Sequence, residues 1–285
     1  RIMLRIAIQS KGRLYEESMA LLEEAGIKIP GGKRTLLVPA RNFPVEVLFL
    51  RDDDIPESVA SGVADVGIVG LNEVMEKRCP VGILKKLGFG KCRLSLAIPQ
   101  DIDYQDRNWF SGKKIATSYP GILSDYLHKN GIVSDIHVIT GSVEIAPGIR
   151  LADAIFDIVS SGSTLVSNRL KEVETVVESE AVLIGTDSIS PEKRGILDEL
   201  LFRFDSVQAA DDKKYILMNV PQKKLNDVLS VLPGIKSPTV MPLADKEWCS
   251  VHTVLDEKCF WEIINRLKTA GAEGILVLDI EKMIL

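Results

Sequence analysis

The residues best suited to chemistry crowd into one stretch, from Gly141 to Asn168. At its centre, Ser160-Ser161-Gly162-Ser163-Thr164 gathers hydroxyl residues around a glycine. Leu151, Ala154, Ile155, Ile158 and Val159 precede it at helical spacing, which predicts a helix from about Leu151 to Val159, and another apolar pattern begins at Leu165. A second helix starting there would turn unpaired backbone N–H groups and a positive dipole end toward an anion, with the hydroxyls as extra donors. That describes a phosphate cradle. Glu144 and Asp157, close by in sequence, are carboxylates suited to sugar hydroxyls or a magnesium ion. The same residues also read as a plain polar turn between two helices, with serine and threonine as caps.

Other candidates sit where apolar runs end. Leu4 to Ile8 reads as a strand, followed by the loop Gln9-Ser10-Lys11-Gly12-Arg13 and a helix carrying Leu14, Leu21, Leu22 and Ala25. Ligands of open α/β sheets gather at such carboxyl ends, which makes Lys11 and Arg13 candidates for a pyrophosphate or triphosphate. As solvated loop charges they would need no ligand. Val45 to Leu50, a second strand, ends in Arg51-Asp52-Asp53-Asp54-Ile55-Pro56, where Asp54 is placed to cap a helix that Gly62 closes. Capping accounts for one aspartate of three, so Arg51 and Asp52 are candidates for a nucleotide. Asp65 to Gly70 reads as a buried strand ending on Gly70, where a ligand or another backbone can approach closely. Cys92 to Ile98 alternates like a half-buried strand, Pro99 ends it, and Asp101 to Asn108 reads as a crossover into another lobe. After Ile115-Ala116, the segment Thr117-Ser118-Tyr119-Pro120-Gly121 leads into a helix over Ile122 to Lys129, and Tyr119 can either stack on a base or simply pack.

Further strands are expected at Asp135 to Thr140, Glu172 to Val177 and Ala181 to Ile184, and a helix after Pro191 is expected to return to the first lobe. Past Asp212 the order changes to β-α-β-β-α-β, the ferredoxin-like unit. The reading is thus an α/β protein with a catalytic core like the two-lobed periplasmic binding proteins and a C-terminal ferredoxin-like domain. Lobe I is placed at residues 1–98 with a return helix at about 185–208, lobe II at 99–184, and the third domain at 212–285.

Composition narrows the function classes. The 285 residues suffice for two or three domains, and 46% hydrophobic with 26% charged residues describes an ordinary globular chain. A net charge of -5 gives no global reason to bind nucleic acid or an anionic membrane. Cys79, Cys92, Cys249 and Cys259 form no zinc spacing, and His128, His137 and His252 share no ligand spacing. Reduced thiols, no signal-like opening and no membrane-length apolar run lead to the expectation of a cytoplasmic protein, with its start upstream or at Met3.

The pattern Glu-x-Ala-Pro, Leu-Ala-Asp-Ala-Ile-x-Asp and Ser-Gly-x-Thr-Leu-x-x-Asn closely resembles the signature of the ATP phosphoribosyltransferases, which open histidine biosynthesis. The resemblance covers nearly the whole chain. It implies that Asp157, Ser160, Ser161, Gly162, Ser163 and Thr164 hold the 5-phosphate of phosphoribosyl pyrophosphate. It also implies that Lys11 and Arg13 belong to the active site with Glu144 and Asp157, and that Arg51, Asp52, Gly70 and Tyr119 face the nucleotide. Two positions depart from the pattern: Arg150 stands where glycine is usual, and Ser161 where threonine is usual. The resemblance further implies Mg2+ held mainly by substrate with help from Glu144 and Asp157, and a homo-oligomer built from dimers into a hexamer. Feedback inhibition by histidine would act through the third domain, with Asn219, Ile235, Ser237, Thr239 and Gly274 as contacts. The competing function is a two-lobed solute-binding protein closing on a small anion.

Overall fold

The computed structural model describes residues 1–31, 35–233 and 238–285, and the chain divides into two compact units, Arg1–Leu197 and Asp198–Leu285. In the first unit, β1 (Leu4–Gln9), β2 (Leu37–Pro39), β3 (Val45–Leu50), β4 (Val66–Gly70), β5 (Gly82–Lys86) and β11 (Ala181–Gly185) form one sheet in the order β2-β3-β1-β4-β11-β5. β1 runs parallel to both β3 and β4, while β2, β5 and β11 join antiparallel. Leu4, Ile6, Ala7 and Ile8 are all fully buried, as expected of a central strand covered on both faces. Helices α1 (Arg13–Glu24), α2 (Ile55–Ala60) and α3 (Leu71–Lys77) follow β1, β3 and β4.

The second sheet runs β10-β6-β9-β7-β8, from β6 (Cys92–Pro99), β7 (Lys114–Thr117), β8 (Asp135–Val138), β9 (Ala154–Val159) and β10 (Leu170–Ser179). Helix α4 (Pro120–Lys129) follows β7 and α5 (Ser163–Ser167) follows β9. Several expectations need correction. Residues 154–159 form a strand and not a helix: Ala154 and Phe156 enter one core cluster, Ile155 and Val159 another, so the chain alternates between two buried faces. A short apolar run rich in β-branched residues fits either period, and the sheet decides. The strand at Cys92 to Ile98 is buried on both faces from Leu94 to Ile98, and it belongs to the second sheet, so the chain crosses before Cys92 and not at Pro99. It crosses back between Ser179 and Ala181, which puts the strand expected in lobe II at residues 181–184 in the first sheet. Asp54 precedes α2 but makes no side-chain cap, because residues 52–54 already turn as a 3-10 helix.

Helix α6 (Pro191–Ala210) begins in the first unit, where Lys193 pairs with Asp65 at 2.9 Å, and its residues from Asp198 onward belong to the second unit. Only its opening turns therefore accompany the first unit. The second unit carries β12 (Lys213–Pro221), α7 (Leu225–Val231), β13 (Thr239–Pro242), β14 (Trp248–Asp256), α8 (Glu257–Ala270) and β15 (Glu273–Asp279). Its antiparallel sheet has the order β13-β14-β12-β15, the ferredoxin-like arrangement. Met218, Val251, Phe260, Ile263 and Leu267 share its core, and Gly271 at φ 114 ends α8.

Candidate active site

Parallel strands put their carboxyl ends on one edge of a sheet, and here both sheets use that edge. In the first sheet it carries Lys11 to Arg13 after β1, Arg51 to Asp53 after β3 and Gly70 at the end of β4. In the second it carries Tyr119 after β7, Glu144 beyond β8 and Ser160 to Thr164 after β9. Hydrogen bonds from α3 to the β7–α4 turn join the two edges.

The hydroxyl turn is open. Ser160, Ser161, Ser163 and Thr164 are exposed, so the turn is not sealed in the core. Gly162 adopts φ 81, a left-handed conformation with no atom within 4 Å of a would-be Cβ. Its glycine is thus required by the backbone and leaves empty space beside the turn. Ser161 and Ser163 share a hydrogen bond at 3.0 Å, and the Ser163 N–H leans on Ser161 Oγ at 3.3 Å. The Thr164 hydroxyl has no protein partner among the described residues. α5 spans only five residues, so its dipole is short, and the donors of the turn are its own N–H and hydroxyl groups. Arg93 braces the turn from below: Nη1 donates to the Ser160 carbonyl at 3.0 Å while Nε donates to Glu172 at 2.8 Å. A hollow of about 530 Å3 beside it is lined by Lys86, Lys91, Cys92, Arg93, Ser160 and Ser179.

Asp157 points from the face of β9 that also carries Ile155 and Val159, and Glu144 lies near enough to repel it. Burial, and then Glu144, push the Asp157 carboxyl up to about 6, against a hydrogen bond from the Ile158 backbone that lowers it. A cation would relieve that repulsion. Among the described residues, however, no group of three or more His, Cys, Asp or Glu is placed to hold a metal. These two carboxylates could fit a divalent cation only as part of its ligand set, the rest of which the described residues would not supply.

On the first sheet's side, Lys11 and Arg13 are exposed, and Arg13 pairs with Glu17 at 3.2 Å. Gly12 adopts φ 93, and no side chain caps α1. Arg51 is exposed and stands 3.5 Å from Asp53 Oδ1, whereas Asp52 Oδ1 accepts from the Asp53 N–H at 2.9 Å. Gly70 has a reason other than ligand approach: a Cβ there would lie 2.3 Å from Asn72 Oδ1. Tyr119 is only 7% exposed, its ring packed with Leu94, Phe110, Leu123 and Phe156 in the core, so no ring face lies open to a base. Its hydroxyl accepts from Asn72 Nδ2 at 3.1 Å and donates to Glu73 Oε1 at 3.2 Å.

Sequence reasoning passed over Asn72, Glu73, Glu76, Arg93 and Ser179. The nearest signal was Gly70, two positions before Asn72, a buried strand ending on glycine with a polar residue in the first turn of the helix that follows. Arg150 adopts φ 62, the left-handed region that glycine enters without a penalty, which explains why glycine is the usual residue there.

In the second unit, Asn219 and Gly274 adjoin: a Cβ on Gly274, at φ 55, would lie 3.4 Å from Asn219 Nδ2. Thr239 pairs with His252 across β13 and β14, two strands away from β12, or about 10 Å. It borders a separate hollow of about 560 Å3 with Tyr215, Pro238 and His252. Ile235 and Ser237 lie outside the described residues. No helix among the described residues is long and apolar enough to cross a membrane.

Comparison with known proteins gives the family. The ATP phosphoribosyltransferase family model matches residues 51–206, and the model of the HisG C-terminal domain matches residues 210–282. An ATP phosphoribosyltransferase of Bacteroides fragilis is 70% identical over 99% of this chain and 100% of its own length. One of Phocaeicola vulgatus is 71% identical over the same shares. Among solved structures, the ATP phosphoribosyl transferase HisG:HisZ complex from Thermotoga maritima matches with a TM-score of 0.62 and 27% identity, covering 71% of this chain and 96% of that one. Full-length identity of this order disfavours the solute-binding alternative. The chain belongs to the ATP phosphoribosyltransferase family.

Proposed function

We propose that this protein transfers the 5-phosphoribosyl group of phosphoribosyl pyrophosphate to N1 of ATP, releasing pyrophosphate, as the first step of histidine biosynthesis. The observation that carries the reading is an exposed hydroxyl turn around left-handed Gly162, set on one sheet edge with Asp157 and Glu144. The bond from the ribose anomeric carbon to pyrophosphate breaks as the bond to N1 forms, with positive charge building on the ribose. No covalent nucleophile is needed, so the protein contributes placement and electrostatics. The turn Ser160 to Thr164 holds the 5-phosphate through N–H and hydroxyl donors. Asp157 and Glu144 face the ribose and its developing charge. Lys11, Arg13 and Arg51 meet the phosphates of the leaving group and of ATP, with Asp52 beside them. Glu144 and Asp157 would help substrate oxygens hold Mg2+, which would supply charge neutralisation on the departing pyrophosphate.

Histidine is the inhibitor on this reading, acting through the second unit with Asn219 and Gly274 as its adjacent contacts and Thr239 further off. The protein assembles as a homo-oligomer, dimers forming a hexamer, and works in the cytoplasm. Pyrophosphate release from ATP, phosphoribosyl pyrophosphate and magnesium tests the activity. Release that requires all three components is expected, and none would overturn the reading. Inhibition by free histidine that Asn219→Ala removes, with the uninhibited rate unchanged, tests the regulatory part.

A further inference from the structure

Four buried polar residues connect the two sheets of the first unit. Asn72 is 6% exposed, Glu73 8%, Tyr119 7% and Ser179 6%. They come from three elements: the first turn of α3 after the first sheet, the β7–α4 turn of the second, and the last residue of β10 before the chain crosses back. The hydrogen bonds have one consistent direction. The Asn72 N–H donates to Ser179 Oγ at 3.1 Å, and that hydroxyl donates back to Asn72 Oδ1 at 2.9 Å. Asn72 Nδ2 then donates to the Tyr119 hydroxyl, which donates to Glu73 Oε1. These residues are 6 to 8% exposed, and a buried group left unpaired costs more than the bond itself contributes.

From this geometry we infer that Asn72 is a positioning residue for the transfer reaction, fixing the separation between the sheet edge bearing Lys11, Arg13 and Arg51 and the edge bearing Asp157 and the hydroxyl turn. Both sheets end in candidate substrate contacts, of which Lys11, Arg13, Arg51, Ser160, Ser161, Ser163 and Thr164 are exposed, and none of them fixes one edge against the other. The Asn72 amide does so at the floor, gripping the crossing strand with its oxygen and the second sheet's turn with its nitrogen. Gly70 protects the arrangement, because a Cβ there would displace Asn72 Oδ1. A second tie runs nearby along the rim: both Glu76 carboxylate oxygens accept from the N–H groups of Gly121 and Ile122, at 2.8 and 2.9 Å. It fastens α3 to the start of α4 but leaves the crossing strand free, so it does not substitute for Asn72.

The inference rests on the transfer reaction proposed above. Each substrate meets mainly one edge, so loosening the tie changes how the two approach one another more than how tightly each binds. Asn72→Asp keeps the shape and the acceptor for Ser179 but removes the donor to Tyr119. Ser179→Ala removes the other end of the tie, with less risk to folding. For each variant that folds, kcat is expected to fall about tenfold or more, the loss expected of reactants misplaced by around 1 Å, while KM for both substrates stays within about twofold. A folded variant with unchanged kcat overturns the inference, whatever its thermal stability, as does a rise in KM at constant kcat. If wild-type protein releases no pyrophosphate, the reaction assignment fails; if wild type is active and a folded variant matches it, only the positioning role fails.

Discussion

Three of the turns in the first unit that lead from a strand into a helix end differently. The turns before α1 and α5 are closed by glycines at positive φ, Gly12 and Gly162, and no acidic side chain sits on their N–H groups, only Ser161 Oγ near the Ser163 N–H. The turn before α4 is filled from outside, since the Glu76 carboxylate takes the Gly121 and Ile122 N–H groups and Gly121 has no Cβ to obstruct it. Exposed donors are therefore not a general property of these turns. Where the protein supplies its own anion the turn fastens α3 to α4, and where it supplies none the donors remain available to a ligand. In sequence, Ser118-Tyr119-Pro120-Gly121 and Ser160-Ser161-Gly162-Ser163-Thr164 both set hydroxyl residues and a glycine near a helix start; the structure separates them.

The contrast can be broken in order of effect. Asp157 stands beside the open turn with its carboxyl raised from 3.8 to about 6. A folded value above the unfolded one means the folded protein holds the proton more tightly, so in substrate-free protein this group favours folding below pH 3.8 and loses that contribution as pH rises through about 6. Asp157→Asn should therefore raise stability at neutral pH, by at most about 3 kcal/mol, and flatten the change between those pH values while activity falls. Denaturant titrations at pH 4 and pH 7 measure this, and equal stabilisation at both would contradict it. Next, Thr164→Val should weaken phosphoribosyl pyrophosphate binding by about 1.5 to 3 kcal/mol, the loss of a hydroxyl donor to a charged phosphate, seen as a raised KM with ATP binding unchanged. Glu76→Gln in the filled turn should do the reverse, lowering stability by about 1 kcal/mol, as loss of a helix cap does, with KM little changed. A thermal scan beside a KM measurement separates the two. Smallest, Arg150→Gly relieves a left-handed arginine but frees the unfolded chain, so a gain below about 1 kcal/mol is expected in a thermal scan.

How much the sequence disclosed depends on the range of the interaction. The βαββαβ order of the second unit was legible because β12 alternates and α8 keeps a helical period, and so were the strand ends that bear Lys11 and Arg51. The strand at Ala154–Val159 was misread as a helix because its residues are buried on both faces, which removes the alternation that marks a strand. The crossing points were displaced for a related reason: β6 and β11 each join a sheet formed mostly by chain far away in sequence. The tie through Asn72 was out of reach, since its partners Tyr119 and Ser179 lie 47 and 107 residues away. Nothing local marks Asn72 as different from any polar residue at a helix start, apart from the glycine two positions before it.

The most direct test is a crystal structure with phosphoribosyl pyrophosphate and magnesium bound. The 5-phosphate is expected among the backbone N–H groups of Ser161 to Thr164, within hydrogen-bond reach of the Thr164 hydroxyl, with Asp157 facing the ribose. A 5-phosphate seated elsewhere, with Ser160 to Thr164 still open to solvent, would contradict the account.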